Sequence, residues 1–274
     1  MNFSLLRRIA HGVAVPLLVV AVWQALSSLQ IINPQIMPSP LAVLLRWGEY
    51  FAPTEAYTPE QGSYLLWLLS GELLSDAYGS LSRVLGGFAI GAALALPLGL
   101  LMGANQTIYK LLDPLVQVLR PIPPIAYIPL AILWFGLGNP PAFFLISIGA
   151  FFPILMNTVA GVRQVDGIYL RAARNLGAGQ MTMFRRVILP AATPYILTGA
   201  RIGMGTAFIV VIVAEMIAVN NGLGYRILEA REYFWSDKII AGMFTIGILG
   251  LAIDSAMNAL NNHLLQWHRG LDHN

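Results

Sequence analysis

Ionisable chemistry is scarce in these 274 residues: sixteen Lys and Arg, thirteen Asp and Glu, four His and no Cys. A phosphate-cradling P-loop needs Gly-Lys-Ser/Thr, and neither lysine, Lys110 nor Lys238, follows a glycine. The stretch NLGAGQ (175–180) has glycines but no P-loop around it, and reads as a hinge. There is no Gly-x-Ser-x-Gly elbow and no pair of His one helical turn apart. His263, His268 and His273 recur every five residues, a poor spacing for shared ligation, and read as polar interfacial side chains. Without Cys there is no thiolate metal site. An enzyme is therefore not expected, and neither a cofactor nor a metal on this chain. Three kinds of role remain: lining a path through an apolar phase, ion pairing inside it, and mechanical docking.

A candidate path through the membrane falls on residues 120–129, where Pro121, Pro123, Pro124 and Pro129 interrupt an apolar run. Each interior proline costs a helix ~3 kcal/mol or more. Irregular backbone at membrane depth persists only against protein or a water-filled cavity. Arg120, Pro121, Pro123, Pro124 and Tyr127 are thus candidate lining for a translocation path, with a kinked packing helix as the alternative. Arg120 itself has two readings, an anion contact at the inner mouth or a side chain snorkelling to the headgroups. Glu215 and Asp254 lie within apolar runs, where an ionised acid costs roughly 2.5–3.5 kcal/mol at the helix centre. Arg201 lies at a depth comparable to Asp254 and is its expected partner. Glu215, toward the outer side and also a candidate pathway residue, must find Arg83, Arg226, Arg231 or water. A structural salt bridge or hinge is the default for both acids.

The elements that position these residues follow from composition. The chain is 57% apolar and 11% charged, with mean hydropathy +0.68, whereas soluble domains carry about 25% charged residues. That excludes a cytosolic enzyme, a nucleic-acid module and a disordered tail. Six stretches approach the roughly 20 apolar residues that cross a bilayer: 12–29, 84–104, 113–135, 141–162, 198–219 and 239–264. The first reads as an uncleaved helix, because Ala25-Leu26-Ser27 is a feeble cleavage site and the apolar run continues past it. Pro97 and Pro153 predict kinks. With the N-terminus inside, eleven of the sixteen Lys and Arg fall on the cytoplasmic side and eight of the thirteen acids outside. This fits the positive-inside rule and puts both termini in the cytoplasm. Gly99-x-x-x-Gly103 and Gly199-x-x-x-Gly203 are read as helix-packing positions. Residues 38–80 form an extracytoplasmic excursion, with 63–74 predicted as an amphipathic helix at the outer interface.

The stretch 161–194 is a long cytoplasmic connection holding Arg163, Arg171, Arg174, Arg185 and Arg186. Gly177 divides two short helical patterns, and Pro190 is predicted to stop the second. Ala172, Ala173 and Leu176 make a flat face, while Val187, Ile188 and Leu189 make the second piece oily. A loop returning to the same bilayer needs only about five residues. One this long is built to dock onto something in the cytoplasm; a surface feature or oligomer contact is the alternative.

Arg171-Ala172-Ala173, then Gly177, then Val187-Ile188-Leu189-Pro190 resembles the EAA loop of bacterial ABC importer permeases, with Arg171 where that pattern has Glu. The segments LRPIPPIAYIPLAILWFGLG (119–138), TGARIGMG (198–205) and NGLGYRILEAREYF (221–234) are similar to the nitrate, sulfonate, taurine and bicarbonate permeases. The resemblance spans about 75–265. It implies an all-α, type I importer permease fold of about six transmembrane helices, a single permease domain over 1–274. It implies that Arg171, Ala172, Ala173, Gly177, Leu189 and Pro190 belong to a coupling helix seated in a cleft of an ATP-binding subunit, which holds the ATP and Mg. The other implied partners are an extracytoplasmic substrate-binding protein and a second copy or near relative of this chain. The implied activity is alternating-access import of a small oxyanion across the bacterial plasma (inner) membrane. The rival readings are an ATP-independent secondary transporter, which has no need of the long loop, and a permease for another small organic solute.

Overall fold

Every regular element among the described residues of the computed structural model is a helix. Residues 3–53, 57, 63, 64, 67 and 70–265 are described, with side chains from Ala14 onward. In chain order these are α1 (Phe3–Ser28), α2 (Pro40–Phe51), α3 (Glu72–Ala104), α4 (Gln106–Leu119), a 3-10 turn (Pro124–Tyr127), α5 (Ile128–Phe135), α6 (Asn139–Arg163) and α7 (Gly167–Asn175). They continue as α8 (Gln180–Ala218), α9 (Leu223–Glu232) and α10 (Ser236–Leu264).

Four helices, α3, α6, α8 and α10, are long and apolar enough to cross a membrane. The expected span 113–135 is not one rod. α4 and the segment Pro124–Phe135 meet at 83° and make a fifth span only if the pair counts as one. Pro121, Pro123 and Pro124 lack the N–H groups that would carry α4 onward, so the helix ends at Leu119. The apolar part of α1 with described side chains, Ala14–Ser28, is shorter than a span. The side chains of Arg7 and Arg8 lie outside the description, as do Arg269, His268 and His273. α3 begins at Glu72, well before the expected 84. The amphipathic helix expected at 63–74 lies largely outside the described residues, and its end, Glu72 to Leu74, opens α3 instead. The segment 38–80 contains α2, which the apolar pattern missed; Ser39 caps it by accepting the Ala42 N–H, and Pro40 occupies its first turn.

The chain forms two compact units. The larger comprises residues Tyr78–Tyr225 with the described part of Ile248–Asn274. α6 is its central helix, with Leu145, Ile146, Ile154 and Leu155 fully buried. Glycines let α3 and α8 approach it closely. A Cβ at Gly91 would stand 2.5 Å from the Ser147 carbonyl oxygen, and one at Gly103 2.5 Å from Val162. One at Gly99 would stand 2.7 Å from Thr158, and one at Gly199 2.6 Å from Asn157. Both Gly-x-x-x-Gly pairs therefore sit where helices meet without room for a side chain. Overpacking such a seam costs about 1–3 kcal/mol. Gly99→Ile is thus expected to lower the thermal midpoint of the detergent-solubilised protein by several degrees. Gly205→Ala, whose Cβ would meet nothing within 4 Å, leaves it unchanged.

The smaller unit comprises the described part of Met1–Ala77 with Arg226–Gly247. Polar side chains fasten it. Trp47 Nε1 donates to Thr245 Oγ1 (2.9 Å), and Arg46 pairs with Asp237 (2.9 Å). Arg226 gathers Asp76 (2.7 Å), Glu229 (2.9 Å) and Glu72 (3.4 Å), and Lys238 reaches Glu72 (3.3 Å). The buried Tyr50 hydroxyl donates to Asp76 (2.8 Å). Burial, and then the neighbouring Asp76 charge, push this phenol far above its usual range, so it stays a proton donor at any physiological pH.

Candidate functional site

The connection between α6 and α8 is built around one turn. Asp166 caps α7 by accepting the Ile168 N–H (2.8 Å). At the other end Gly177 N–H donates to the Arg174 carbonyl (2.9 Å) and Ala178 N–H to the Ala173 carbonyl (3.0 Å). This is a Schellman closure with Gly177 at the left-handed position, φ +77°. A side chain there would be strained, which is why the sequence has glycine. The turn holds out an apolar tip: Leu176 is 87% exposed, with Ile168, Tyr169 and Met181 also exposed. Arg171, Arg174, Arg185 and Arg186 are exposed around it. Ala172 is exposed, Ala173 is half-buried, and Leu189 and Pro190 are half-buried inside α8.

The expected stop at Pro190 does not occur. α8 runs unbroken from Gln180 to Ala218. A π-helical turn over Phe184–Ile188, closed by the Leu189 N–H onto the Phe184 carbonyl, widens the helix just before the proline and accommodates its ring. Gly161 and Val162 likewise belong to α6. The stretch 161–194 is therefore mostly helix ends, with α7 and its turn as the free part.

The proline segment borders a cavity of about 380 Å³ in the larger unit. Arg120, Ile122 and Pro124 line it together with Phe152 and Asn157 of α6 and Thr206 of α8. The lining extends over Ile148 to Asn157 of α6, around the middle of that helix. Pro121, Pro123 and Tyr127 are not among its lining residues; the two prolines are exposed, and Tyr127 packs against the core.

Glu215 does not line this cavity either. Its side chain is fully buried and satisfied: Arg83 Nη1 donates to it at 2.6 Å, Ser80 Oγ at 2.8 Å and the Gly224 N–H at 3.0 Å. Arg83 also donates from Nε to Asn139 Oδ1 (2.7 Å) and from its terminal nitrogens to the carbonyl and side-chain oxygens of Asn221. Ser80 Oγ accepts the Leu223 N–H (3.0 Å). Gly222 sits at φ +106°, and a Cβ there would stand 2.5 Å from the Glu215 carboxyl carbon. Sequence reasoning offered Arg83 among several partners and missed Ser80, Asn139, Asn221 and Gly222. The Asn221-Gly222 dipeptide at the end of a span was the available signal.

Arg201 and Asp254 form a two-pronged pair at 2.9 Å, linking α8 to α10, with 44% and 56% of their side chains exposed. Exchanging both residues, Arg201→Asp with Asp254→Arg, is expected to restore transport that either single change impairs. A double exchange no better than the singles would show that the pairing has no role in the working protein.

A family model described as "binding-protein-dependent transport system inner membrane component" matches residues 95–269. The chain is 33% identical to the taurine transport system permease protein of Escherichia coli, over 97% of this chain and 93% of that protein. It is 38% identical to the nitrate import permease protein of a Synechocystis species, over 65% of this chain and 64% of that protein. Among solved structures, the inward-facing MetNI methionine ABC transporter aligns with a TM-score of 0.63 at 21% identity. That alignment covers 74% of this chain and 99% of the other, a likeness of fold.

Proposed function

Because this chain belongs to the family of binding-protein-dependent transport system inner membrane components, we propose that as an ABC importer permease it carries a small oxyanion, of the taurine, sulfonate, nitrate or bicarbonate kind, into the cytoplasm. ATP, with Mg, is hydrolysed on separate ATP-binding subunits, and an extracytoplasmic binding protein delivers the substrate. Residues 1–274 act as one permease domain in the plasma membrane with both termini cytoplasmic, paired with a second copy or a near relative.

The observation that carries this reading is α7. Its apolar tip, ringed by arginines and held by the Gly177 turn, has no cover among the described residues. Exposed apolar patches of this kind mark contact with a partner. Arg171, Ala172, Ala173 and Gly177 form the contact with the ATP-binding subunit, and Leu189 and Pro190 carry its movement into α8. Arg120 and Pro124 border the substrate's route.

Reconstitution tests the reading. Liposomes holding this chain with its ATP-binding subunit should accumulate labelled taurine, sulfonate, nitrate or bicarbonate only when ATP-Mg and the binding protein are both supplied. Uptake without nucleotide, or the same uptake without the binding protein, would overturn it.

A further inference from the structure

We infer that a pocket at the C-terminal end of α1, in the smaller unit, binds the headgroup of an aminophospholipid, a phosphodiester carrying a primary ammonium. The pocket measures about 580 Å³, within the roughly 300–1,000 Å³ of small-molecule sites. Its lining comes from the end of α1, the link to α2, the start of α2, and residues 234–237, where α9 passes into α10. This ligand is distinct from the transported solute, and the inference holds whatever that solute is.

The backbone is the first ground. α1 and α9 both end in a Schellman closure. Gln30 N–H donates to the Ser27 carbonyl (3.1 Å) and Ile31 N–H to the Leu26 carbonyl (3.2 Å). Phe234 N–H donates to the Arg231 carbonyl (3.2 Å) and Trp235 N–H to the Ala230 carbonyl (2.9 Å). The left-handed position of such a closure is normally glycine, as Gly177 is on α7. Here it is Gln30, at φ +52°, and Phe234, at φ +57°. These two are the non-glycine residues of positive φ among the described residues, and both line this one pocket. Strain kept where glycine would relieve it clusters at ligand sites.

Unused polar groups are the second ground. Ser27 is only 8% exposed, yet its hydroxyl meets no partner among the described residues and opens on the pocket. The side-chain amides of Gln30 and Gln35 and the Trp235 indole N–H have no partner among them either. Ser28 Oγ accepts from Gln24 Nε2 (3.0 Å) and Ser39 Oγ from the Ala42 N–H (3.1 Å), so each keeps a hydrogen to give. Arg46 spends Nε on Asp237 and Nη1 on Glu49 and keeps Nη2. These donors suit the oxygens of a phosphodiester. The amide oxygens of Gln30 and Gln35, with the negative ends of two helix dipoles, suit an ammonium. Arg46 and Asp237 give the described lining one charge of each sign, which matches a zwitterion better than a net anion.

The surroundings make the ligand a lipid. The membrane-spanning α10 begins at the pocket, with Ser236 and Asp237 in the lining. The site therefore lies at a bilayer surface, the outer one if both termini are cytoplasmic as proposed. Leu29, Ile31 and Ile36 are exposed on the α1–α2 link, and Val19, Val20 and Val22 on α1. Apolar side chains thus flank a polar pocket, as an amphiphile requires. Trp23, Trp47 and Trp235 belong to the same unit, and tryptophan settles at headgroup level.

The test is native mass spectrometry of the full-length chain with its ATP-binding subunit, delipidated and titrated with phosphatidylethanolamine or phosphatidylglycerol of the same acyl chains. One phosphatidylethanolamine per copy of this chain should bind at least about tenfold more tightly than phosphatidylglycerol, which lacks the ammonium. Ser27→Ala and Trp235→Phe, which remove one donor each and add no bulk, should each weaken it by about tenfold, the lower end for hydrogen bonds to a charged group. Gln30→Gly should raise the thermal midpoint of the lipid-free protein by relieving the left-handed strain, and yet weaken lipid binding several-fold. A merely structural role for Gln30 would not give that opposition. Water-soluble glycerophosphoethanolamine should displace the lipid only at concentrations at least about 100-fold higher, because it lacks the apolar chains. Equal affinity for the two lipids, or affinity unchanged by Ser27→Ala or Trp235→Phe, would overturn the inference. So would glycerophosphoethanolamine binding as tightly as the lipid, which would make the site one for a free solute. If the variants instead weaken docking of the extracytoplasmic binding protein and leave lipid binding unchanged, the pocket belongs to that protein and the inference fails.

Discussion

Gly177→Pro should abolish uptake, by at least about 100-fold, while leaving the amount of protein in the membrane unchanged. Gly177 stands at φ +77°, and proline fixes φ near −65°. Proline also removes the N–H that Gly177 donates to the Arg174 carbonyl at 2.9 Å. Both defects strike the turn that ends α7 and nothing else, because a Cβ at position 177 would meet no atom within 4 Å. α6 and α8 remain apolar and intact, so insertion is untouched, whereas Leu176 and Tyr169 lose the fixed presentation that the proposed contact with an ATP-binding subunit requires. The check is labelled-substrate uptake normalised to membrane content by immunoblot. Gly177→Ala, which merely strains the left-handed position at roughly 1–2 kcal/mol, should retain part of the activity. Wild-type transport by the proline variant would remove the coupling role.

Arg83→Met should have the largest effect on stability. The Arg83 and Glu215 side chains are 4% and 0% exposed, and their contact is 2.6 Å. Removing one partner of a buried pair leaves an uncompensated charge and costs about 3–5 kcal/mol, a large share of a typical total of about 5–15 kcal/mol. Most of the Arg83→Met protein should therefore aggregate on detergent extraction. Replacing both partners, Arg83→Met with Glu215→Met, should recover monodisperse protein, because the stranded carboxylate is then gone. Size-exclusion profiles of fluorescently tagged variants after graded heating read this directly. Arg83→Met melting within a degree or two of wild type would mean the pair is not a structural clamp.

The sequence disclosed features governed by local chemistry more readily than those set by tertiary contact. Gly177 was readable as a divider because a short amphipathic pattern ended there. The prolines between Arg120 and Pro129 signalled a broken helix, although nothing in their spacing gives the 83° bend. Pro190 misled for a physical reason: proline normally ends a helix, but one π-helical turn upstream absorbs the mismatch, and no residue type announces such a turn. α2 was hidden because it lies within a segment whose apolar content fell below that of a span; its Ser39-Pro40 start was the overlooked cue. The clamp around Glu215 was least legible. Its members, Ser80, Arg83, Asn139, Asn221 and Gly224, are scattered over more than half the chain, and only folding brings them to one carboxylate. Arg201 and Asp254 could be matched by depth alone, because each sits at a definable height in its own apolar run.

If α7 and its turn seat on the ATP-binding subunit as proposed, a single introduced thiol reports it, because the sequence contains no cysteine. Leu176→Cys places a single thiol at the most exposed apolar residue of the tip, with Phe234→Cys, also 85% exposed, as the reference on another loop. In membranes containing the complete transporter, the thiol introduced at position 176 should crosslink to the ATP-binding subunit. It should also react with a water-soluble maleimide at least about tenfold more slowly than in membranes lacking that subunit. The reference thiol should react equally in both. If the thiol at position 176 labels at the same rate with and without the ATP-binding subunit, and forms no crosslink to it, the account of this chain as a permease driven through α7 is contradicted.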